Sequence, residues 1–236
     1  MCTRYQLSKK DLARLAGNSL AAAVAKFEDR YNISPGTKIP AVRRTRGAPA
    51  SELALLRWGL VPEWASSNRS ASPFVNARAE TISAKPAFRN AFEKRRCLIP
   101  VSGFFEWQIE GRRRLPWHFQ LRDQQPFFLA GIWETTLGTT EEPLETCAVI
   151  TTEPNDLMRP IHSRMPAIVR AEFAEAWLRS TAETNHEIQS CLRPFSAAEM
   201  TAQRISPRVN SVMNDDPACL QPPDTTTDGE QQLFPL

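Results

Sequence analysis

The chain has 236 residues, of which 42% are hydrophobic and 23% charged, with a formal net charge of +3. That length suits one domain, or one domain with a tail, and is enough to bury a substantial core. No run approaches the roughly 20 apolar residues that span a bilayer. The start, Met1-Cys2-Thr3-Arg4-Tyr5, lacks the apolar core of an export signal, so a soluble protein with no membrane partner is expected. Five scattered cysteines without a Cys-x-x-Cys pair predict reduced thiols rather than a disulfide framework or a zinc site.

In chain order, Ser8 followed by Lys9 to Ala16 predicts a short capped helix. Residues 31–42, with Pro35-Gly36 and Pro40, read as irregular edge structure leading into a strand. Glu52 to Val61 reads as a buried strand, and Pro62 to Ser72 as a polar loop. Phe88 and Phe92, four apart, mark one face of a short helix over Pro86 to Arg95. From there the chain turns β-like: Cys97–Trp107, Trp117–Leu121, Phe127–Trp133 and Thr146–Thr152 are apolar runs broken by turn residues. A helix over Ala171 to Arg179 follows the apolar run Met165 to Val169. Strands and helices do not alternate regularly, which predicts an α+β domain with an antiparallel β core. After about Pro217 the composition shifts to Pro, Thr, Asp and Gln. A disordered tail is expected over 221–236, with Gln-Leu-Phe-Pro-Leu at its end as a short docking peptide.

Four segments carry candidate chemistry. Cys2, once Met1 is removed, presents a thiol and an α-amine on one residue. With reference pKa values near ~8.5 and ~7.7–8.0, both have a reactive fraction at neutral pH. Such an aminothiol condenses with aldehydes, the amine as a Schiff base and the sulfur by closing a thiazolidine ring. It also serves as an N-terminal nucleophile toward acyl groups. Asn76 and Arg78 lie two apart and share one side of an extended segment, where an amide and a guanidinium suit an oxyanion or phosphate. Glu106 sits in the aromatic run Phe104-Phe105-Glu106-Trp107; burial there raises a carboxyl pKa and makes it a candidate proton donor or acceptor. His162 lies in the proline-bracketed turn Pro160-Ile161-His162-Ser163-Arg164-Met165-Pro166. His118, alternating with Trp117 and Phe119, reads as structural. No metal-ligand spacing, phosphate loop or dinucleotide fingerprint appears, so no metal and no cofactor are expected.

Together, Met1–Tyr5, Asn76–Thr81, Gly103–Trp107 and Ile161–Pro166 resemble, in this order, the conserved blocks of the SRAP (SOS response-associated peptidase) family. So do Tyr31–Pro35, Trp58–Pro62 and Val209-Asn210. The chain departs at Thr3, where the family has glycine, and at Phe105, where it has tyrosine. The resemblance covers about residues 2–220 and implies one α+β SRAP domain, barrel-like in its sheet core with peripheral helices. It implies a sensor of abasic sites in single-stranded DNA, crosslinked through Cys2 as a thiazolidine. It assigns catalytic roles to Cys2, Asn76, Glu106 and His162, and DNA contacts to Arg4, Arg78, Trp107 and Arg164. A monomer is expected, in the cytoplasm at the nucleoid or in a nucleus, with the tail as a contact to replication machinery. Two other readings are an N-terminal-nucleophile amidohydrolase or peptidase, and a non-covalent single-strand binding module.

Overall fold

The computed structural model describes residues 2–17, 20–45, 48, 50–65, 72–137, 143–179 and 186–223. In chain order the strands are β1 (Tyr5–Leu7), β2 (Arg30–Ile33), β3 (Lys38–Arg43), β4 (Glu52–Trp58), β5 (Asn76–Arg78), β6 (Arg96–Val101) and β7 (Gly103–Glu110). They continue with β8 (Arg113–Leu121), β9 (Phe127–Leu137), β10 (Pro143–Thr152), β11 (Met165–Pro166), β12 (Ile168–Val169) and β13 (Met200–Arg204). The helices are α1 (Lys9–Ala16), α2 (Ala21–Val24), α3 (Arg89–Lys94), α4 (Ala174–Arg179) and α5 (His186–Cys191).

Pairing of β10 with β4, β4 with β3, β3 with β6, β6 with β9 and β9 with β10 closes a five-stranded barrel. A second, open antiparallel sheet runs β13-β8-β7-β1-β2. The α+β class holds, with one correction to the antiparallel core: β10 pairs in parallel with both β4 and β5. Parallel neighbours need long crossovers, which the chain between β4 and β10 supplies.

Barrel strands alternate inside and out. Cys97, Ile99, Cys147 and Val149 join the cluster that fills the interior, whereas Leu98, Ala148 and Ile150 pack outward under α3, α4 and α5. Both faces are covered, so these strands read as unbroken apolar runs in the sequence. Gly131 marks a tight point inside. A Cβ there would stand 2.8 Å from the Cys97 sulfur and 3.1 Å from Ile99, so β9 approaches β6 only without a side chain.

Several boundaries differ from the sequence expectation. Residues 31–42 form two strands rather than irregular edge structure, joined by a turn in which Gly36 takes φ 89°. Pro40 is tolerated because β3 pairs with β6 only at Val42 and Arg43, so its missing N–H interrupts no ladder. The run Cys97–Trp107 is two strands, split at Ser102 where the chain leaves the barrel for the open sheet. Ser102 fixes that crossing: its N–H donates to Gln6 O (2.8 Å) and its hydroxyl accepts from Ser8 N (3.0 Å). Ser8 also caps α1, accepting from Asp11 N at 3.1 Å. The expected helix 171–179 begins as a 3-10 turn and becomes α4 at Ala174.

Pro217–Leu220 forms a 3-10 turn that packs Cys219 against Phe105 and Trp107. The proposed docking end, 231–236, lies outside the described residues. Residues 205–220 are stitched to the chain start through Asn32, which is 2% exposed. Its amide nitrogen reaches Val209 O (3.2 Å), Ser211 O (2.9 Å) and Asn214 O (2.7 Å), and its Oδ1 accepts from Arg4 (2.8 Å). Asn32→Ala strands these buried groups, at about 1–3 kcal/mol for an unsatisfied partner. A fall in Tm of roughly 2–12 °C is expected at this chain length; an unchanged thermal melt would contradict the assignment.

Candidate functional site

The site forms where the first strand of the open sheet meets the barrel's end. β1 lies between β2 and β7, with Tyr5 opposite Phe104 and Phe105 N donating to Arg4 O at 3.0 Å. This seats Cys2, which is fully buried, in the interior cluster. Side chains alternate along β7. Phe104 and Glu106 face the interior side shared with Trp117 and Phe119, while Phe105 and Trp107 face the C-terminal segment.

Glu106 is 2% exposed. Burial raises its pKa to about 7, against the opposing pull of the positive Met1 amine and of Arg114. Burial also drives the Cys2 thiol far above its ordinary value, and the Glu106 charge pushes it further. The His162 Nε2 stands 4.0 Å from Glu106 Oε2. Burial lowers the His162 pKa, and the chain-start amine lowers it again. Chain start, carboxyl and imidazole are therefore electrostatically coupled.

His162 is held by a turn built on Asn155, whose amide donates to Phe195 O (2.8 Å) and whose Oδ1 accepts from Met158 N (2.9 Å). The His162 Nδ1 is 3.0 Å from both the N–H and the C=O of Arg164. With Nδ1 accepting from the amide, the ring proton lies on Nε2, toward Glu106; with a proton on Nδ1, the ring donates to the carbonyl instead. An open cleft of about 560 Å³ is lined on this side by Glu153, Arg159, His162 and Arg164.

Asn76 begins β5, beside Val149 of β10. Both polar atoms of its amide are buried and without a hydrogen-bond partner among the described residues. No hydrogen bond links it to the other three candidates, but Val75 before it packs on the cluster holding Cys2. A buried amide left unpaired is costly, and it fits a group that a ligand would complete.

The four residues expected to contact DNA sit in three settings. Arg78 is exposed at the end of β5. Arg164 is turned onto Glu80, with its two terminal nitrogens at 2.7 and 2.9 Å, and also reaches Thr151 O at 2.7 Å. Arg4 is committed to Asn32 and to Val209 O at 2.8 Å. Trp107 is 6% exposed, bonded to Asn210 Oδ1 at 2.6 Å and flanked by Arg4 and Arg114. His118 is buried against Phe105, and burial lowers its pKa to about 4. Asn32 and Glu80 were not singled out from the sequence. Glu80 continues the i, i+2 series of Asn76 and Arg78, a spacing that points to it. Among the described residues no group of three or more His, Cys, Asp or Glu side chains is placed to hold a metal, and all five cysteines are free.

The family described as SOS response associated peptidase (SRAP) matches residues 1–212. The chain belongs to the SRAP family. It is 34% identical over 224 residues to the abasic site processing protein YoqW of Bacillus subtilis, covering 94% of this chain and 99% of that one. It is 31% identical to abasic site processing protein HMCES of Gallus gallus, over 84% of this chain and 67% of that one. A crystal structure of a Bacteroides thetaiotaomicron protein superposes with a TM-score of 0.80 at 31% identity, covering 94% of this chain and 99% of that one. Against the SRAP pattern, Phe105 in place of tyrosine turns its ring to His118, at 5.0 Å, on the face away from Glu106.

The raised Glu106 pKa has a consequence for stability. Between the ordinary 4.5 and about 7 the folded protein holds a proton that the unfolded chain has lost. Stability therefore falls as pH rises through that window and levels off above it. The gap corresponds to on the order of 3 kcal/mol at 1.36 kcal/mol per pH unit. Glu106→Gln is expected to match the wild type near pH 4 and to exceed it at pH 8 in urea melts. Parallel profiles across that range would contradict the buried-acid assignment.

Proposed function

We propose that this protein captures abasic sites in single-stranded DNA by closing a thiazolidine ring between Cys2 and the sugar aldehyde. The observation that carries the reading is the Glu106–His162 pair, 4.0 Å apart beside a cysteine at the chain start. It is supported by relatives named as abasic site processing proteins.

Loss of Met1 creates the α-amine of Cys2, by the chain's own peptidase action or by an aminopeptidase. His162, neutral and bearing its proton on Nε2, assists opening of the sugar to its aldehyde form. The neutral amine then attacks the aldehyde carbon to give a carbinolamine. Glu106, about half protonated near neutrality, gives a proton to the departing hydroxyl, which leaves as water, and takes back the proton of the nitrogen, so that an imine remains. The Cys2 sulfur adds to the imine carbon, and its proton passes to the nitrogen. One amine, one thiol and one aldehyde thus become a five-membered ring and one water. A buried thiol held in its protonated form suits this amine-first order and not a thiolate acyl nucleophile. Asn76, with its amide unpaired, is assigned to orient the sugar and the amine. Arg78 and Arg164 offer guanidinium contacts to backbone phosphate, whereas Arg4 and Trp107 hold the chain start in place. The protein acts in the handling of DNA damage.

Purified protein lacking Met1, incubated with a single-stranded oligonucleotide bearing one abasic site, is expected to give an adduct that survives heat and detergent. Undamaged oligonucleotide gives none, and Cys2→Ala abolishes it. Glu106→Gln is expected to slow capture roughly 10²-fold, the lower range for a general acid–base group. Unchanged adduct yield in Cys2→Ala refutes the reading, and peptide or amide turnover without DNA favours the hydrolase instead.

A further inference from the structure

β7 and β8 stay paired out to Glu110 and Arg113, beyond both of their neighbours. β1 meets β7 at Gly103 and Phe104, and β13 meets β8 from Trp117 onward. The hairpin end is therefore a two-stranded arm, on which Arg112, Arg113 and Arg114 are all exposed. Arg114 is the register partner of Ile109 and shares the face that carries Trp107. Its guanidinium lies 5.2 Å from the Trp107 ring centre, and that of Arg4 lies 5.6 Å from the same ring. Arg4 is tied to Asn32 and Val209 O. Arg114 forms no ion pair among the described residues. Burial, and after it the Arg114 charge, lowers the Arg4 pKa, so the two guanidiniums lie close enough to repel. An exposed guanidinium on an aromatic face, beside a second one and without a carboxylate, suits a phosphate oxygen.

The same charge reaches Glu106, the residue before Trp107. Each element packed on β7 brings groups to that carboxyl. The chain start brings its amine, the Cys2 thiol and, beside Trp107, Arg4. The turn after β10 brings His162, and β8 brings Arg114, with His118 on the opposite face. Against burial, the Met1 amine and Arg114 favour the ionised carboxylate. Of these side chains Arg114 alone is exposed.

We propose that Arg114 is a phosphate contact that couples DNA binding to the proton on Glu106. A backbone phosphate pairs with the guanidinium and offsets the positive charge that favoured the carboxylate. Glu106 then takes a proton from solvent: one carboxylate oxygen gains it and the solvent donor loses it. The acid used at the carbinolamine step is thereby loaded as the strand arrives. The inference rests on the proposed capture reaction for its catalytic effect, but the coupling itself needs only that DNA binds.

Calorimetric titration of undamaged single-stranded DNA into Cys2→Ala protein, at pH 7 in buffers of different ionisation enthalpy, counts the protons taken up on binding. No capture step enters that count. The Cys2→Ala parent is expected to take up a fraction of a proton, and adding Glu106→Gln removes that uptake. Adding Arg114→Gln removes most of it and lowers the log–log salt slope of binding by about 0.7, one phosphate contact on a single strand. Arg114→Lys keeps the charge and is expected to restore both. Without DNA, the Glu106-dependent loss of stability is expected to extend to higher pH in Arg114→Gln, because a charge favouring the carboxylate has gone. Parental uptake in Arg114→Gln, or uptake that persists in Glu106→Gln or is lost in Arg114→Lys, overturns the coupling. An unchanged salt slope in Arg114→Gln overturns the phosphate contact. Failure of the wild type to form an adduct with abasic DNA refutes the capture reaction instead, and leaves the proton count to decide the coupling.

Discussion

The main-chain hydrogen bond from Phe105 to Arg4, and the β1–β7 register it belongs to, hold the rest of the site in place. A chain terminus ordinarily frays. Here it is the first strand of a five-stranded sheet, bordered on both edges, and its second residue has no exposed surface. Arg4 reinforces the seat by reaching through Asn32 to the C-terminal segment, more than 200 residues away in sequence. The chain start is thus tied to the segment 205–220, which is folded down onto the sheet.

Burial then sets the chemistry. It raises the carboxyl of Glu106 toward neutrality and lowers the imidazole of His162. A carboxylic acid and a neutral imidazole coexist near pH 7 as a result, the arrangement that lets one group give a proton while the other accepts one. Exposed, the same two residues would form an ordinary ion pair with no proton ready to donate. The barrel supplies the rigid wall, and the polar groups arrive from its loops and from the neighbouring sheet. Precision at such a site comes from the elements that carry it, here β7, β5 and the Asn155 turn.

Much of this was legible in the residues. The α1 cap at Ser8, the apolar barrel strands and the aromatic setting of Glu106 follow from local pattern, because capping and two-faced burial leave signatures within a few residues. The closed barrel, with its parallel β10 neighbours, does not, since strand order depends on contacts between segments far apart. Proline and glycine misdirected the reading of 31–42: Pro40 falls beyond the paired part of β6, where its missing N–H costs nothing. Trp107 looked like a stacking surface because an aromatic beside an acid suggests one. Strand alternation instead sends it to the opposite face, between two guanidiniums. Asn32 and Glu80 were hidden because their importance lies in partners at distant positions, Val209 to Asn214 and Arg164.

Mass mapping of the digested adduct tests the central claim most directly. The account predicts that the sugar is carried on the peptide beginning at Cys2, with the mass of aminothiol plus aldehyde less one water. It also predicts that this mass is unchanged by borohydride, because a closed thiazolidine has no imine left to reduce. A sugar found on a lysine, or a Cys2 adduct that persists only after reduction, would contradict ring closure at the chain start.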